Sequence, residues 1–180
     1  MNFFRHLLII LFFTSIAYAD QNDRRLDELF SLLKVSNKDI EIDNLVANIW
    51  EIWLETNDPF IENDFRQGLT FMQNGQIHAS IMFFTKVIKK NPDFAEAWNK
   101  RATAYYLIGN FESSIQDIYQ TLRLEPRHFG AMDGLSLILI YEKKYNETVG
   151  VYDKMLKIFP HNLTILQKRH QILKIISTSI

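Results

Sequence analysis

The sequence predicts an all-α fold, a solenoid of stacked helical hairpins with capping helices at both ends, and three observations predict it. An apolar stripe at helical spacing occurs three times, the copies are 34 residues apart, and a proline closes each one. Phe111, Ile115, Ile118 and Leu122 fall at i, i+4, i+7 and i+11, which is one face of an α-helix. Ile77, Ile81, Phe84 and Ile88 hold those places one period earlier, and Tyr145, Val149, Tyr152 and Leu156 one period later. Pro92, Pro126 and Pro160 keep the same interval, and each disfavours helical backbone in the residue before it.

The helix preceding each stripe repeats as well. Phe71, Tyr105 and Leu139 form a large site, and Gly68, Ala102 and Ser136 a small one. Ser80, Ser114 and Thr148 supply a second small site in the following helix. Small side chains that face each other let two antiparallel helices approach closely while large ones fill the flanks. Gly75 and Gly109 fall in the turns, where a left-handed residue closes a helix cheaply. Lys143 takes their place in the third unit, so that turn is expected to be strained or differently shaped.

A single hairpin cannot bury its apolar face, so altered units are expected at the ends. After Pro160, Leu166, Leu173 and Ile176 continue a first-helix stripe, with His170 at the small site and Gln167, Lys168, Gln171 and Lys174 facing water; residues 163–180 read as a capping helix. At the other end, residues 20–60 read as a helical pair, Arg24 to Lys34 and Ile40 to Thr56, that could form a degenerate repeat. Leu45, Ile49, Ile52, Trp50 and Trp53 give the second of these helices a broad apolar face, and the two tryptophans are expected to seal the first repeat.

With its units at 61–94, 95–128 and 129–162, the chain resembles the tetratricopeptide repeat family. Trp98, Ala102 and Tyr105 match the opening of that motif, and Phe84 and Pro92 its close; Asp64 and Met132 depart at the Trp site, Gln67 and Arg101 at the Leu site. The whole is also similar to short exported bacterial members that carry a segment like EPRHFGAMDG after the second repeat. The resemblance implies a right-handed superhelix with a protein-binding concave face. Its contact positions fall on Phe65, Leu69 and Met72, on Asn99, Thr103 and Tyr106, and on Asp133, Leu137 and Ile140, with Glu62, Glu96 and Gly130 at the edge. The lysines and asparagines by which chaperone-binding relatives hold a carboxylate are missing there. An amphipathic helix or an extended apolar segment is the expected ligand.

Composition narrows the function. Twenty Lys and Arg against 21 Asp and Glu leave a formal charge of −1 without a basic block, which argues against nucleic acid. No cysteine is present, so disulfides and thiolate chemistry are excluded. Gly130-x-x-x-Gly134 lacks the Lys-Ser/Thr of a phosphate loop, and no zinc helix or nucleophile elbow occurs. The histidines at 6, 78, 128, 161 and 170 are scattered, so no metal, cofactor or catalytic residue is assigned and the chain is not read as an enzyme. Asn146-Glu-Thr and Asn162-Leu-Thr match the glycosylation sequon, which matters only in a eukaryotic source. Arg5 and His6, the apolar run Leu7 to Phe13 and Ala17-Tyr18-Ala19 form a secretory leader, residues 1–19, with cleavage before Asp20. The expectation is therefore an exported, periplasmic scaffold or assembly factor with no membrane anchor once the leader is removed. A structural, self-associating envelope protein is the alternative, an enzyme with an unrecognised site the remoter one, and homo-oligomerisation is left open.

Overall fold

A computed structural model describes residues 20–56 and 58–178; the proposed leader lies outside the described residues. Among these the regular structure is helical throughout: α1 (Arg24–Val35), α2 (Asp39–Leu54), α3 (Glu62–Gln73), α4 (Ile77–Lys90), α5 (Ala95–Leu107), α6 (Phe111–Leu124), α7 (Phe129–Tyr141), α8 (Tyr145–Ile158) and α9 (Leu163–Thr178). The pairs α3–α4, α5–α6 and α7–α8 are hairpins, each second helix packs on the first helix of the next pair, and α9 packs on α8.

Local chemistry sets the helix ends. Asp23, Asn110 and Asn162 accept hydrogen bonds from the first-turn N–H groups of Arg25, Ser113 and Ile165 at 2.8, 3.1 and 3.0 Å. The three hairpin turns share one C-terminal motif. Gln76, Asn110 and Lys144 N–H groups donate to the carbonyls of Phe71, Tyr105 and Leu139 at 2.9, 2.9 and 2.8 Å. The residue before each lies in the left-handed region, with φ of 73° at Gly75, 76° at Gly109 and 59° at Lys143. The third turn therefore keeps the shape of the others and carries strain at Lys143 in place of a different shape.

Within the hairpins the small sites act as expected. A Cβ on Gly68 would lie 2.6 Å from the Phe84 ring, so glycine is what admits that phenylalanine. The Ser114 hydroxyl donates to the Ala102 carbonyl at 2.8 Å and ties α6 to α5. Arg101, where the repeat motif has leucine, donates two hydrogen bonds to Asp117 at 2.7 and 2.8 Å and one to Thr85 at 3.0 Å. Its guanidinium also lies 5.0 Å from the Trp98 ring of its own helix, and through Asp117 and Thr85 this one side chain joins α5 to α6 and α4.

The two ends depart from expectation. The α1–α2 hairpin does not stack on α3 as another repeat would; α2 meets α5, and α1 meets α8. Trp50 and Trp53 pack on His128 and Phe129 at the start of α7, and from this pair of helices only Leu54 reaches the cluster around Phe65 and Phe84 in the first repeat. Two features explain the placement. Gly130 leaves room for an indole, since a Cβ there would lie 2.5 Å from Trp50. Arg127 donates to Asp27 at 2.8 Å and covers the Phe30 ring at 4.3 Å, which clamps α1. In addition, the Gln21 amide bonds Asp93 O and Ala95 N–H, tying the chain before α1 to the start of α5.

At the far end the buried residues of α9 are Ile165 and Ile172, whereas Leu166 and Leu173 of the expected stripe are 40% and 38% exposed. Lys168 and Arg169 pair with Asp133 of α7 and Asp153 of α8, at 2.7 and 2.6 Å. Residues 165, 168, 169, 172 and 176 share one helical face, so the two pairs lie along the same side as the buried isoleucines. Lys168 thus faces the protein, contrary to expectation.

Candidate functional site

Glu96 begins α5, His128 precedes α7, and both are sealed, at 1% and 0% exposure. His128 Nδ1 accepts the Ala131 N–H at 3.1 Å, capping α7; the ring proton therefore sits on Nε2, which donates to Glu96 Oε2 at 2.9 Å. The Asn99 amide donates to the same oxygen at 3.0 Å. The Lys100 ammonium lies 3.0 Å from Oε1, close enough for an ion pair though off the hydrogen-bonding direction. Burial works to raise the Glu96 carboxyl, but Lys100 and the His128 hydrogen bond overcome it and hold the group below its ordinary range. Trp53 stacks on the His128 ring, 4.1 Å between centroids and 8° between planes, and Trp50 meets it edge-on at 5.6 Å. This polar group is a seat for α2. Both members of the His–Glu pair are closed to solvent, so it offers no catalytic access.

Beside the seat, between α5 and α7, a recess of about 270 Å³ opens on the concave face. It is lined by Asn99, Thr103, Tyr106, Asp133 and Leu137 among the candidate residues, with Ala102, Ile118, Gly130 and Gly134 completing its floor and walls. Thr103 and Leu137 are exposed at the mouth, and Asp133 is held by Lys168. Among the described residues no Lys or Arg lines it.

The other four candidates are elsewhere. Phe65 is 2% exposed and packs against Phe84 and Phe94, with ring centroids 5.8 and 5.0 Å away; it is core, not surface, because Gly68 draws Phe84 against α3. Leu69 and Met72 flank the same cluster, and Ile140 flanks the larger one. Sequence reasoning assigned no pocket to the two glycines. The 34-residue register held the signal: Arg66, Lys100 and Gly134 are equivalent positions, so the third unit alone drops a long side chain there. Among the described residues no group of His, Asp and Glu could hold a metal ion.

A model of the tetratricopeptide repeat matches residues 83–116. A TPR repeat-containing protein of Rhizobium etli is 35% identical over 144 residues, which cover 78% of this chain and 69% of that one. The chain belongs to the tetratricopeptide repeat family. Hsp70-Hsp90 organizing protein 2 of Arabidopsis thaliana is 25% identical over 113 residues, 62% of this chain and 20% of that protein, so these repeats match a fifth of a longer molecule. Among solved structures, the first TPR domain of Spaghetti bound to an HSP90 peptide superposes with a TM-score of 0.60 at 18% identity, over 66% of this chain and 96% of that one. MamA gives 0.60 at 18%, over 74% and 78%. These structures share the helical-repeat fold. In this TPR chain the concave face is divided: α2 meets α5 and lays Trp50 and Trp53 over the start of α7, and the recess lies beside it.

Proposed function

We propose that the chain is a non-catalytic protein–protein interaction module that holds a peptide or helix of a partner in the concave recess of its second and third repeats. The single observation that carries this reading is the recess itself, an apolar hollow lined by Asn99 and Tyr106 with Thr103 and Leu137 exposed at its mouth, in a fold shared with a Spaghetti domain solved bound to an HSP90 peptide. The HSP90 peptide in that structure, SRMEEVD, is acidic. Here no Lys or Arg among the described residues lines the recess and its one carboxylate, Asp133, is paired with Lys168, so the favoured ligand is apolar and uncharged. Thr103→Arg places a long charge at the mouth while keeping helix propensity. Peptides selected from a display library on the wild-type chain should bind this variant at least tenfold more weakly, with its helical circular dichroism unchanged. Undiminished binding by a folded variant refutes the site.

The finer reading is an exported scaffold or assembly factor in the periplasm. It rests on the leader-like residues 1–19, and a mature N-terminus at Asp20 in protein taken from the native envelope is the expected result. A second reading, self-association, is favoured by the outward face of α9, where Leu163, Leu166 and Leu173 are exposed. Sedimentation of the leader-free chain at micromolar concentration distinguishes a monomer from a dimer.

A further inference from the structure

The recess exists because of two glycines one turn apart on α7, and they are not equivalent. Gly130 is already in use: Trp50 of α2 lies where its Cβ would be. Gly134 stands at the next position along the same helical face, and the nearest atom a Cβ would meet there is Cδ1 of Ile118, at an ordinary 3.6 Å. The face of α7 therefore offers two consecutive seats, one filled by the protein's own indole and one open. In the other two units Arg66 and Lys100 occupy the position of Gly134, so this hollow belongs to the third repeat alone.

We infer that the open seat over Gly134 is an anchor pocket for one bulky apolar side chain, aromatic in preference, presented by a partner segment that continues the row begun by Trp50. The inference rests on the interaction reading above and specifies its ligand. Three observations support it. The volume of about 270 Å³ exceeds the space of about 150 Å³ that suffices to hold a benzene ring in a protein interior. The walls are Ala102, Ile118, Ala131 and Leu137, which offer dispersion contacts to a flat ring. The mouth is open: Thr103 and Leu137 are exposed there with Tyr106 half-buried beside them, so a side chain can enter from solvent, while the Thr103 hydroxyl turns to the Asn99 carbonyl at 3.0 Å and the buried Asn99 amide is held by Glu96. The seat is continuous with the α2–α7 interface, where the same helix face already takes a tryptophan.

Filling the pocket from within is the test. Gly134→Leu should fold, because leucine favours the helix and its side chain has the recess to enter; Gly134→Ala, with its Cβ in ordinary contact, is the conservative companion. The probes are N-acetyl-tryptophanamide, N-acetyl-leucinamide and N-acetyl-glycinamide, titrated into the full-length chain with labelled methyl groups. The tryptophan compound should shift the Thr103, Ile118 and Leu137 methyl signals with millimolar saturation, the leucine compound less, and the glycine compound not at all. Gly134→Leu should abolish these shifts, weakening binding at least tenfold, and Gly134→Ala should weaken it severalfold, both at an unchanged or raised melting temperature. Shifts that persist undiminished in Gly134→Leu, or that centre away from α5 and α7, overturn the pocket. Library-selected peptides separate this inference from the broader one. Peptides that lose affinity for Thr103→Arg but not for Gly134→Leu would leave the groove standing and remove the anchor. Undiminished affinity in both variants would remove the site and the anchor with it.

Discussion

Lys143 offers an internal experiment, because the protein repeats the same turn three times and twice uses glycine. All three turns have the same reverse hydrogen bond from the residue after the left-handed position, at 2.8–2.9 Å, so geometry is constant and only the side chain varies. A residue with a Cβ in this conformation costs about 1–2 kcal/mol relative to the right-handed region. Lys143→Gly removes that cost but adds backbone freedom to the unfolded chain, an offset of about 0.4–1 kcal/mol. Lys143 is exposed, so little packing is lost. The net expectation is a gain of about 0.5–1 kcal/mol, and for a chain of this size a rise in Tm of about 1–4 °C. Lys143→Ala is the control, since alanine keeps the Cβ and should give no comparable gain. The assay is thermal unfolding followed by circular dichroism at 222 nm on all three proteins. If the alanine variant rises as far as the glycine variant, or if glycine lowers Tm, strain at φ 59° is not what limits this turn.

The seat of the N-terminal hairpin makes two further predictions. Trp53→Ala removes a fully buried indole and its stack on His128, at about 3–5 kcal/mol, and should deprotect α1 and α2 to hydrogen exchange before the repeats; a loss under about 1 kcal/mol would mean the hairpin is held by other contacts. Glu96 gives the pH response: its folded carboxyl is depressed, so its contribution is complete above the ordinary value of 4.5 and is lost as pH falls through the lower folded value. Denaturant midpoints should therefore decline below about that pH in the wild type, and Glu96→Gln should flatten the decline while lowering stability at neutral pH. An equally steep acid decline in Glu96→Gln would place the titration elsewhere.

The sequence alone determined the parts that depend on neighbours along the chain. The 34-residue period, the pairing of small and large sites and the prolines specify three hairpins, because helical spacing and close approach are local matters that each unit repeats. Part of the concave face was legible through the repeat positions, since Asn99, Thr103, Tyr106, Asp133 and Leu137 line one recess. Phe65 shares that register yet is buried, because its surroundings are set by Phe84 and by Phe94 at the end of the same unit, just before α5. Tertiary structure decided where the elements without a repeat would go. Trp50 and Trp53 bear an apolar face that reads the same whether it seals the first repeat or the third; Gly130, His128 and Arg127, about 75 residues away, select the third by offering space, a flat ring and a clamp. The rotation of α9 was likewise settled by the surface it meets on α8, against which Ile165 and Ile172 are buried in place of Leu166 and Leu173. A repeating unit carries its partner's shape in its own sequence, whereas a lone helix docks by complementarity to a surface that exists only once the repeats have folded.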